Sequence, residues 1–389
     1  MKNKKVLAVT GIRSEYDILY PVLKELKENG FDIRVAASSA HLSDHFGNTI
    51  NRIIEDGFEI ADRIDSLFIT SRLTQRAKGV GMLTVGLSQT VERENPDFLI
   101  VVGDREESMA TAIVGNYMDT LVVHIGGGDT VYGNADDPVR FAVSKLSHIH
   151  CCSAQAYADN LLNLSEESFR VFWTGNPAYV NIAETIKISV DVLSEDIGID
   201  ISNKRYIVII KHPLSSQVED AYSQMKKTLA AVKLFCQNNN YQALIIPPNS
   251  DPGSEEMRKA ISEYSEDENI HSIETLARIQ FINLIRHCRA LLGNSSMGIL
   301  EAPFYKLPVI NVGDRQLGRL NAGNVEFISY EEIEIISALE KACFDEDYRE
   351  EVENIVNPFG NENSAKNICK AIESVNTYDK KWYVKSKLC

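Results

Sequence analysis

The sequence predicts an α/β protein made of two doubly wound, Rossmann-like domains that face an inter-domain cleft. A chain of 389 residues exceeds one ordinary core, since a domain takes roughly 150 residues. Short, continuously apolar runs alternate with longer amphipathic stretches, as in parallel sheets covered by helices on both faces. This alternation restarts after about residue 176.

The first half supplies four buried strands separated by helices. Continuous apolar runs predict strands at 5–11, 32–39, 98–104 and 121–127. Periodic stretches predict helices at 15–29, 42–56, 73–95, 106–118 and 138–146. We therefore expect residues 1–176 to form the N-terminal domain.

The second half repeats this organisation. Strands are predicted at 206–212, 242–249, 289–296 and 308–313, with helices at 218–237, 255–264, 276–287 and 297–305. Helical periodicity returns at 331–343 and 363–374. We expect residues 177–365 to form the C-terminal domain and 366–389 to pack back on the first domain.

Composition excludes several function classes. With 40 Lys and Arg against 55 Asp and Glu, the net charge of −15 argues against nucleic acid and anionic membranes as partners. No apolar window reaches the ~18 residues of a membrane span, and no signal peptide is apparent. Seven Cys without a C-x-x-C pair fit reduced thiols in the cytoplasm. No second ligand cluster completes His148-x-His150-Cys151-Cys152, so we predict no metal.

Two strand ends of the first half carry charged residues. In Thr10-Gly11-Ile12-Arg13-Ser14, Gly11 permits a tight turn, Ser14 can cap the helix, and Arg13 can face an anion. An ordinary turn with a solvated Arg explains this segment equally well. In Gly103-Asp104-Arg105, Asp104 is either a helix cap or a catalytic acid or base with Arg105 beside it.

A glycine run follows the next strand. Gly126, Gly127 and Gly128 allow a ligand or another backbone to approach closely, and Asp129 comes directly after them. Further on, Pro138 suits the first helical position and Asp137 the cap, which leaves Asp136 to face the cleft. His124, just before the glycines, can be a buried, hydrogen-bonded core residue.

The second half ends its strands in polar residues too. His212, held extended by Pro213, can bind phosphate or transfer protons. Asn249 and Asp251 can contact a nucleobase or form an Asx turn.

The most informative segment is GNSSMGILEAP at 293–303. Ser295 and Ser296 stand at a strand-to-helix junction that suits a diphosphate, Glu301 can accept from a ribose hydroxyl, and Arg315 follows the next strand. No G-x-G-x-x-G fingerprint and no P-loop occurs.

These segments together resemble the UDP-N-acetylglucosamine 2-epimerase family, and more closely its hydrolysing branch in sialic acid and related nonulosonic acid biosynthesis. The resemblance rests on TGIRSEYDIL, GDR, DDPVR, KLSH, KHP and GNSSMGILEAP and covers about four-fifths of the chain. It implies a GT-B-like architecture, no cofactor, and a homodimer or homotetramer. It also implies a UDP-binding set of Arg13, Asn249, Asp251, Ser295, Ser296, Glu301 and Arg315.

By the same resemblance Asp104 and Asp136 transfer protons and His212 lies in the active site. The sequence departs from the family's H-I-E-G-G motif, because Gly126 replaces the Glu. Asp129 is the nearest carboxylate that could substitute for it. We expect Arg105, Gly126 and Gly127 to contact the sugar.

The implied reaction converts UDP-N-acetylglucosamine and water to N-acetylmannosamine and UDP, through a 2-acetamidoglucal-like intermediate. Gly126 keeps a second substrate open, a UDP-2,4-diacetamido-trideoxyhexose of the legionaminic acid pathway. A GT-B glycosyltransferase and a UDP-sugar-binding protein without turnover also remain open. A non-hydrolysing epimerase fits the GDR and DDPVR motifs less well.

Overall fold

The structure is a computed structural model, and it describes residues 3–69, 74–130, 136–203, 205–248, 251–274 and 276–385. The chain divides into two compact units. The first comprises Met1–Thr130, Ala135–Ala183 and Phe359–Cys389, and the described part of the second lies within Glu184–Pro358. The chain thus enters the second unit seven residues after the expected boundary, because Val180 still packs in the apolar core of the first.

The first unit is built on a seven-stranded, wholly parallel sheet of order β3-β2-β1-β4-β5-β6-β7. Its strands are β1 Lys5–Thr10, β2 Asp32–Ser38, β3 Glu59–Ile64, β4 Phe98–Val102, β5 Leu121–Ile125, β6 Ile149–Cys152 and β7 Val171–Trp173. Its helices are α1 Arg13–Glu28, α2 Ile50–Glu55, α3 Thr74–Glu94, α4 Glu106–Tyr117, α5 Asp136–Leu146, α6 Gln155–Asn163 and α7 Ala178–Glu184.

Both faces of this sheet are buried, as the continuous apolar runs predict. Val6 and Ala8 face one apolar core, whereas Leu7 and Val9 face the other, because successive side chains of a strand point to opposite faces. The helix α15 Ser364–Glu373, from the C-terminal part of the chain, packs in the first of these cores against α1.

The second unit has a six-stranded parallel sheet of order β10-β9-β8-β11-β12-β13. Its strands are β8 Arg205–Ile210, β9 Tyr241–Ile246, β10 Ile270–Ser272, β11 Leu291–Gly293, β12 Val309–Val312 and β13 Val325–Ile328. Its helices are α8 Val190–Ile197, α9 Ala221–Asn239, α10 Ser254–Ser262, α11 Arg278–His287, α12 Ser296–Leu300, α13 Glu332–Phe344 and α14 Glu346–Glu353.

Five strands were not predicted from the sequence: β3, β6, β7, β10 and β13. Most lie towards the edges of the sheets and are short, charged or only half buried, so they lack a continuous apolar run. The helix predicted at 42–56 is also wrong in its extent, since two single 3₁₀ turns precede the short α2. Within the described residues, no helix is long and apolar enough to cross a membrane.

Candidate functional site

Each sheet has a point where its strand order reverses, between β1 and β4 in the first unit and between β8 and β11 in the second. Loops that leave neighbouring strands diverge there, which opens the position where ligands of such sheets bind. The predicted site residues follow these strands: Arg13 after β1, Asp104 after β4, His212 after β8 and Ser295 after β11. Strand topology thus brings them together within each unit.

A buried arginine organises the acidic residues of the first unit. Arg140 on α5 has its Nη2 on the Asp104 carboxylate, and its Nη1 lies 3.8 Å from Asp129 Oδ2. The same Nη1 donates to the Gly126 carbonyl at 2.7 Å. The arginine that pairs with Asp104 is therefore Arg140, to which the sequence analysis gave no role, and Asp129 joins the same cluster. The contact depends on how α5 packs, which no local motif specifies.

The Arg140 guanidinium remains charged in this site. Burial alone would lower its pKa, but Asp104 and Asp129 outweigh burial and raise the pKa above its ordinary value. A fixed positive charge thus lies between two carboxylates, and the carboxylate is the form of Asp that accepts a proton. The cluster can perform acid–base chemistry at the carboxyl edge of the sheet.

The glycine run serves two purposes. Gly126 has φ +82°, which favours glycine, and a Cβ there would meet nothing closer than Arg140 Nη1 at 3.7 Å. A Cβ at Gly128 would instead lie 2.1 Å from the Tyr157 carbonyl oxygen. Gly128 is therefore required by the close approach of α6, whereas at Gly126 only the positive φ favours glycine, because a Cβ there would make ordinary contacts.

His124 holds the turn that carries Asp104. Its Nε2 is 2.7 Å from the Gly103 carbonyl oxygen, and its Nδ1 is 3.2 Å from the Ser144 hydroxyl. Burial lowers the pKa of His124 to about 3, so the ring is neutral and donates from Nε2. His124 is a buried, hydrogen-bonded residue, as one of our interpretations had it, and it fixes the backbone directly before Asp104.

The sequence analysis missed a pair of buried carboxyl groups in the first unit, Glu15 and Glu107. Glu15 Oε2 accepts from the Gly11 amide at 3.1 Å, and Glu107 Oε1 accepts from the Ser39 hydroxyl at 2.6 Å. Burial, with their mutual repulsion, raises the pKa of Glu15, and burial likewise raises that of Glu107. Arg105 lies 4.0 Å from Glu107, so this predicted sugar ligand borders the pair.

Some local predictions are corrected. The cap of α1 is Ile12, without a side-chain bond, so Ser14 lies inside the helix that Arg13 begins. Helix α5 begins at Asp136, so Asp137 is not its cap and Pro138 is its third residue. The Asp136 side chain and the whole of Asn249 lie outside the described residues. The Asp251 carbonyl accepts from the Ser254 amide at 3.0 Å, at the start of α10.

His148 and Cys152 do not build a metal site with their neighbours. The His148 Nδ1 accepts from the Val122 amide at 3.0 Å, and the His150 Nε2 lies 3.2 Å from Glu166 Oε2. Burial raises the pKa of Cys152 to about 12, so it remains a thiol. Among the residues that the structure describes, no three His, Cys, Asp or Glu are grouped to hold a metal ion.

In the second unit, Asn294 ties two strand ends together. Its Oδ1 accepts from the His212 amide at 2.7 Å, and its Nδ2 donates to the His212 carbonyl at 2.8 Å. Both backbone groups of His212 are thereby fixed beside the end of β11. Gly293 permits this approach, since a Cβ there would lie 2.0 Å from the Ile210 carbonyl oxygen.

The segment after β11 is shaped for a polar ligand. Ser295 caps α12 by accepting from the Met297 amide at 3.3 Å, and Ser296 is exposed. Glu301 is the C-cap of this helix and is partly buried. Arg315 Nη1 donates to the Asn294 carbonyl at 3.1 Å, which brings this arginine from the end of β12 to the same edge.

The fold matches that of solved epimerases. The structure of UDP-N-acetylglucosamine 2-epimerase from Neisseria meningitidis bound to UDP-N-acetylglucosamine gives a TM-score of 0.81 at 22% identity, covering 95% of this chain and 100% of that one. Two wholly parallel sheets with alternating helices therefore form the GT-B-like class of enzyme fold that the sequence predicts.

The chain belongs to the UDP-N-acetylglucosamine 2-epimerase family, whose model matches residues 24–373. UDP-N,N'-diacetylbacillosamine 2-epimerase (hydrolyzing) of Legionella pneumophila is 32% identical over 340 residues, 87% of this chain and 89% of that protein. GDP/UDP-N,N'-diacetylbacillosamine 2-epimerase (hydrolyzing) of Campylobacter jejuni is 30% identical over 329 residues, 84% of each. The chain is thus an enzyme, and its resemblance to the hydrolysing branch is confirmed.

Proposed function

We propose that this enzyme releases UDP from a UDP-2-acetamido sugar and returns the free sugar inverted at carbon 2. The observation that carries the proposal is the buried cluster in which Arg140 holds Asp104 beside Asp129. In a family of 2-epimerases, carboxylates at the carboxyl edge of a sheet are the groups suited to exchange a carbon-bound proton.

The reaction proceeds in two balanced steps. A carboxylate removes the proton from C2, the C1=C2 bond forms, and the C1–O bond breaks with its electron pair leaving on UDP. Water then adds its hydroxyl to C1, and a proton returns to C2 from the other face. Two faces require two acid–base groups, and we assign these roles to Asp104 together with Asp129 or Asp136.

Asp129 replaces the family's glutamate in this scheme. Gly126 leaves the usual position without a carboxylate, and Asp129 Oδ2 lies 3.8 Å from Nη1 of Arg140, the arginine that also holds Asp104. In this scheme Arg105, Gly126 and Gly127 contact the sugar. His212 binds the departing diphosphate or transfers a proton to it. UDP is held by Arg13, Asn249, Asp251, Ser295, Ser296, Glu301 and Arg315.

For the sugar, the relatives favour a 2,4-diacetamido-trideoxyhexose, the runner-up of the sequence analysis. The Legionella pneumophila and Campylobacter jejuni relatives, 32% and 30% identical, carry diacetylbacillosamine in their names, and a UDP-N-acetylglucosamine 2-epimerase of Neisseria meningitidis is 27% identical. UDP-N-acetylglucosamine remains the second candidate. We further propose that the enzyme forms a homodimer or homotetramer and acts in the cytoplasm.

The test offers both UDP-sugars separately to the purified enzyme. We expect UDP and a free, C2-inverted sugar from each productive reaction, with the higher kcat/KM for the diacetamido substrate. The products are identified by NMR and UDP is measured by chromatography. A product still attached to UDP would contradict the hydrolytic step, and a preference for UDP-N-acetylglucosamine would reverse the substrate assignment.

A further inference from the structure

A buried lysine lies at the nucleotide edge of the second unit. Lys211 follows β8 directly, precedes His212, and is 1% exposed. Its Nζ has no hydrogen-bond or ion-pair partner among the residues that the structure describes. The Nζ instead lies 4.8 Å from the centre of the Tyr330 ring. An ammonium without a counter-charge is costly to bury, and one aromatic face offsets only part of this cost.

The surroundings of Lys211 do not supply the missing charge. Burial lowers the pKa of Lys211 to about 7. Burial, together with the charges of Asp314 and Asp220, raises the pKa of Tyr330 to about 12. The Tyr330 hydroxyl therefore stays neutral and gives the amine no counter-charge, and the amine lies between its neutral and charged forms near neutral pH.

Lys211 is also placed where an anion is expected. It follows β8 at the point where the strand order reverses, and Asn294, at the end of β11, binds the next residue. The four-carbon stem of a lysine lets the amine rotate away from a neighbouring ring. A diphosphate bound at Ser295 and Ser296 would therefore lie at the same edge of the sheet as the unpaired Lys211 amine.

We propose that Lys211 is a phosphate ligand that leaves the Tyr330 ring and pairs with the diphosphate of bound UDP. The inference rests on the proposed function. It adds Lys211 to the proposed UDP ligands, although the sequence analysis gave this residue no role. The amine becomes charged when UDP binds, because the diphosphate stabilises its protonated form. UDP binding above neutral pH is then coupled to the uptake of a proton.

The experiment measures UDP binding by calorimetry at about pH 8 in buffers of different ionisation enthalpy. Wild type should take up close to one proton per UDP. Lys211→Met should take up almost none and bind UDP roughly 10- to 100-fold more weakly, with uridine affinity unchanged. Lys233→Met is the matched control, because Lys233 pairs with Asp267 on the outer face of the same unit.

Three results separate the outcomes. UDP binding and proton uptake in Lys211→Met that equal those of wild type would overturn the inference and leave the proposed function intact. Absence of uptake in wild type would also overturn it, whether or not the variant folds. Failure of wild type to bind UDP would refute the proposed function itself. Lys211→Arg, which stays charged, should bind UDP without uptake.

Discussion

The carboxyl edges of the two sheets use charge in opposite ways. In the first unit the functional charges are paired, with Arg140 between Asp104 and Asp129 and Arg105 beside Glu107. In the second unit the edge is fixed by neutral hydrogen bonds from Asn294. One doubly wound topology therefore supports two arrangements of charge, because the residues that follow the strands differ between the units.

This difference follows from what each edge has to do. A group that moves protons needs a defined charge and position, and Arg140 supplies both for Asp104, to which we assign this role. A site for a dianionic ligand needs backbone groups and cations that are not already neutralised by carboxylates.

The largest effect is expected for Asp104, the proposed proton-transfer residue. Asp104→Asn should lower kcat by roughly 10²- to 10⁴-fold, because the amide cannot accept the C2 proton. UDP affinity should change little, because Asp104 is not among the proposed UDP ligands, six of which lie in the second unit. Steady-state kinetics and calorimetry measure the two quantities, and Asp347→Asn, on an exposed position of α14, is the control. An equal loss in both quantities would contradict the division of labour.

Removal of the shared cation should destabilise the first unit. Arg140→Met leaves two carboxylates without their counter-charge, at a cost of about 3–5 kcal/mol in the free energy of unfolding. Both tryptophans, Trp173 and Trp382, lie in the first unit, so their fluorescence in urea reports on it alone. Arg93→Met removes an exposed partner of Asp62 and should change little. Equal urea midpoints for Arg140→Met and Arg93→Met would contradict a stabilising role of the buried Arg140 cluster.

Acid should weaken the first unit before the second. Burial lowers the pKa of His41 and His150 to about 4 and that of His124 and His148 to about 3, and all four lie in the first unit. Each lowered pKa favours the unfolded state once the pH falls below ~6.5, the unfolded value, by about 2 kcal/mol at pH ~5.

Protonation of the buried Glu15, whose pKa is raised, partly offsets this loss. At that pH the tryptophan fluorescence should change at a lower urea concentration than the far-UV circular dichroism, which reports on both units. Coincident transitions shifted by equal amounts would count against the prediction.

The smallest effect is expected at the neutral clamp. Asn294→Ala removes two hydrogen bonds to the His212 backbone, each worth about 1 kcal/mol, so UDP affinity should fall roughly 5- to 30-fold. The free energy of unfolding of the first unit, measured by tryptophan fluorescence in urea, should not change. Unchanged UDP affinity would show that the position of His212 does not depend on Asn294.

The sequence predicts the sheets well and the contacts between their loops poorly. Buried strands such as β4 and β8 are continuous apolar runs, and the polar residues after them mark the site. The half-exposed β3 contains charged residues and gives no such signal. The Asp104 position follows from its strand, whereas its partner Arg140 depends on the packing of α5. The buried Glu15 and Lys211 look like surface residues in the sequence, so only the structure reveals their burial.

The central claim is that the enzyme exchanges the C2 proton of the sugar while it releases UDP. The most direct test is NMR of the free sugar formed from UDP-N,N'-diacetylbacillosamine or UDP-N-acetylglucosamine in deuterated water. The account predicts one deuterium at C2 of the inverted free sugar, which disappears in Asp104→Asn. Free, inverted sugar that keeps the original C2 proton would contradict it.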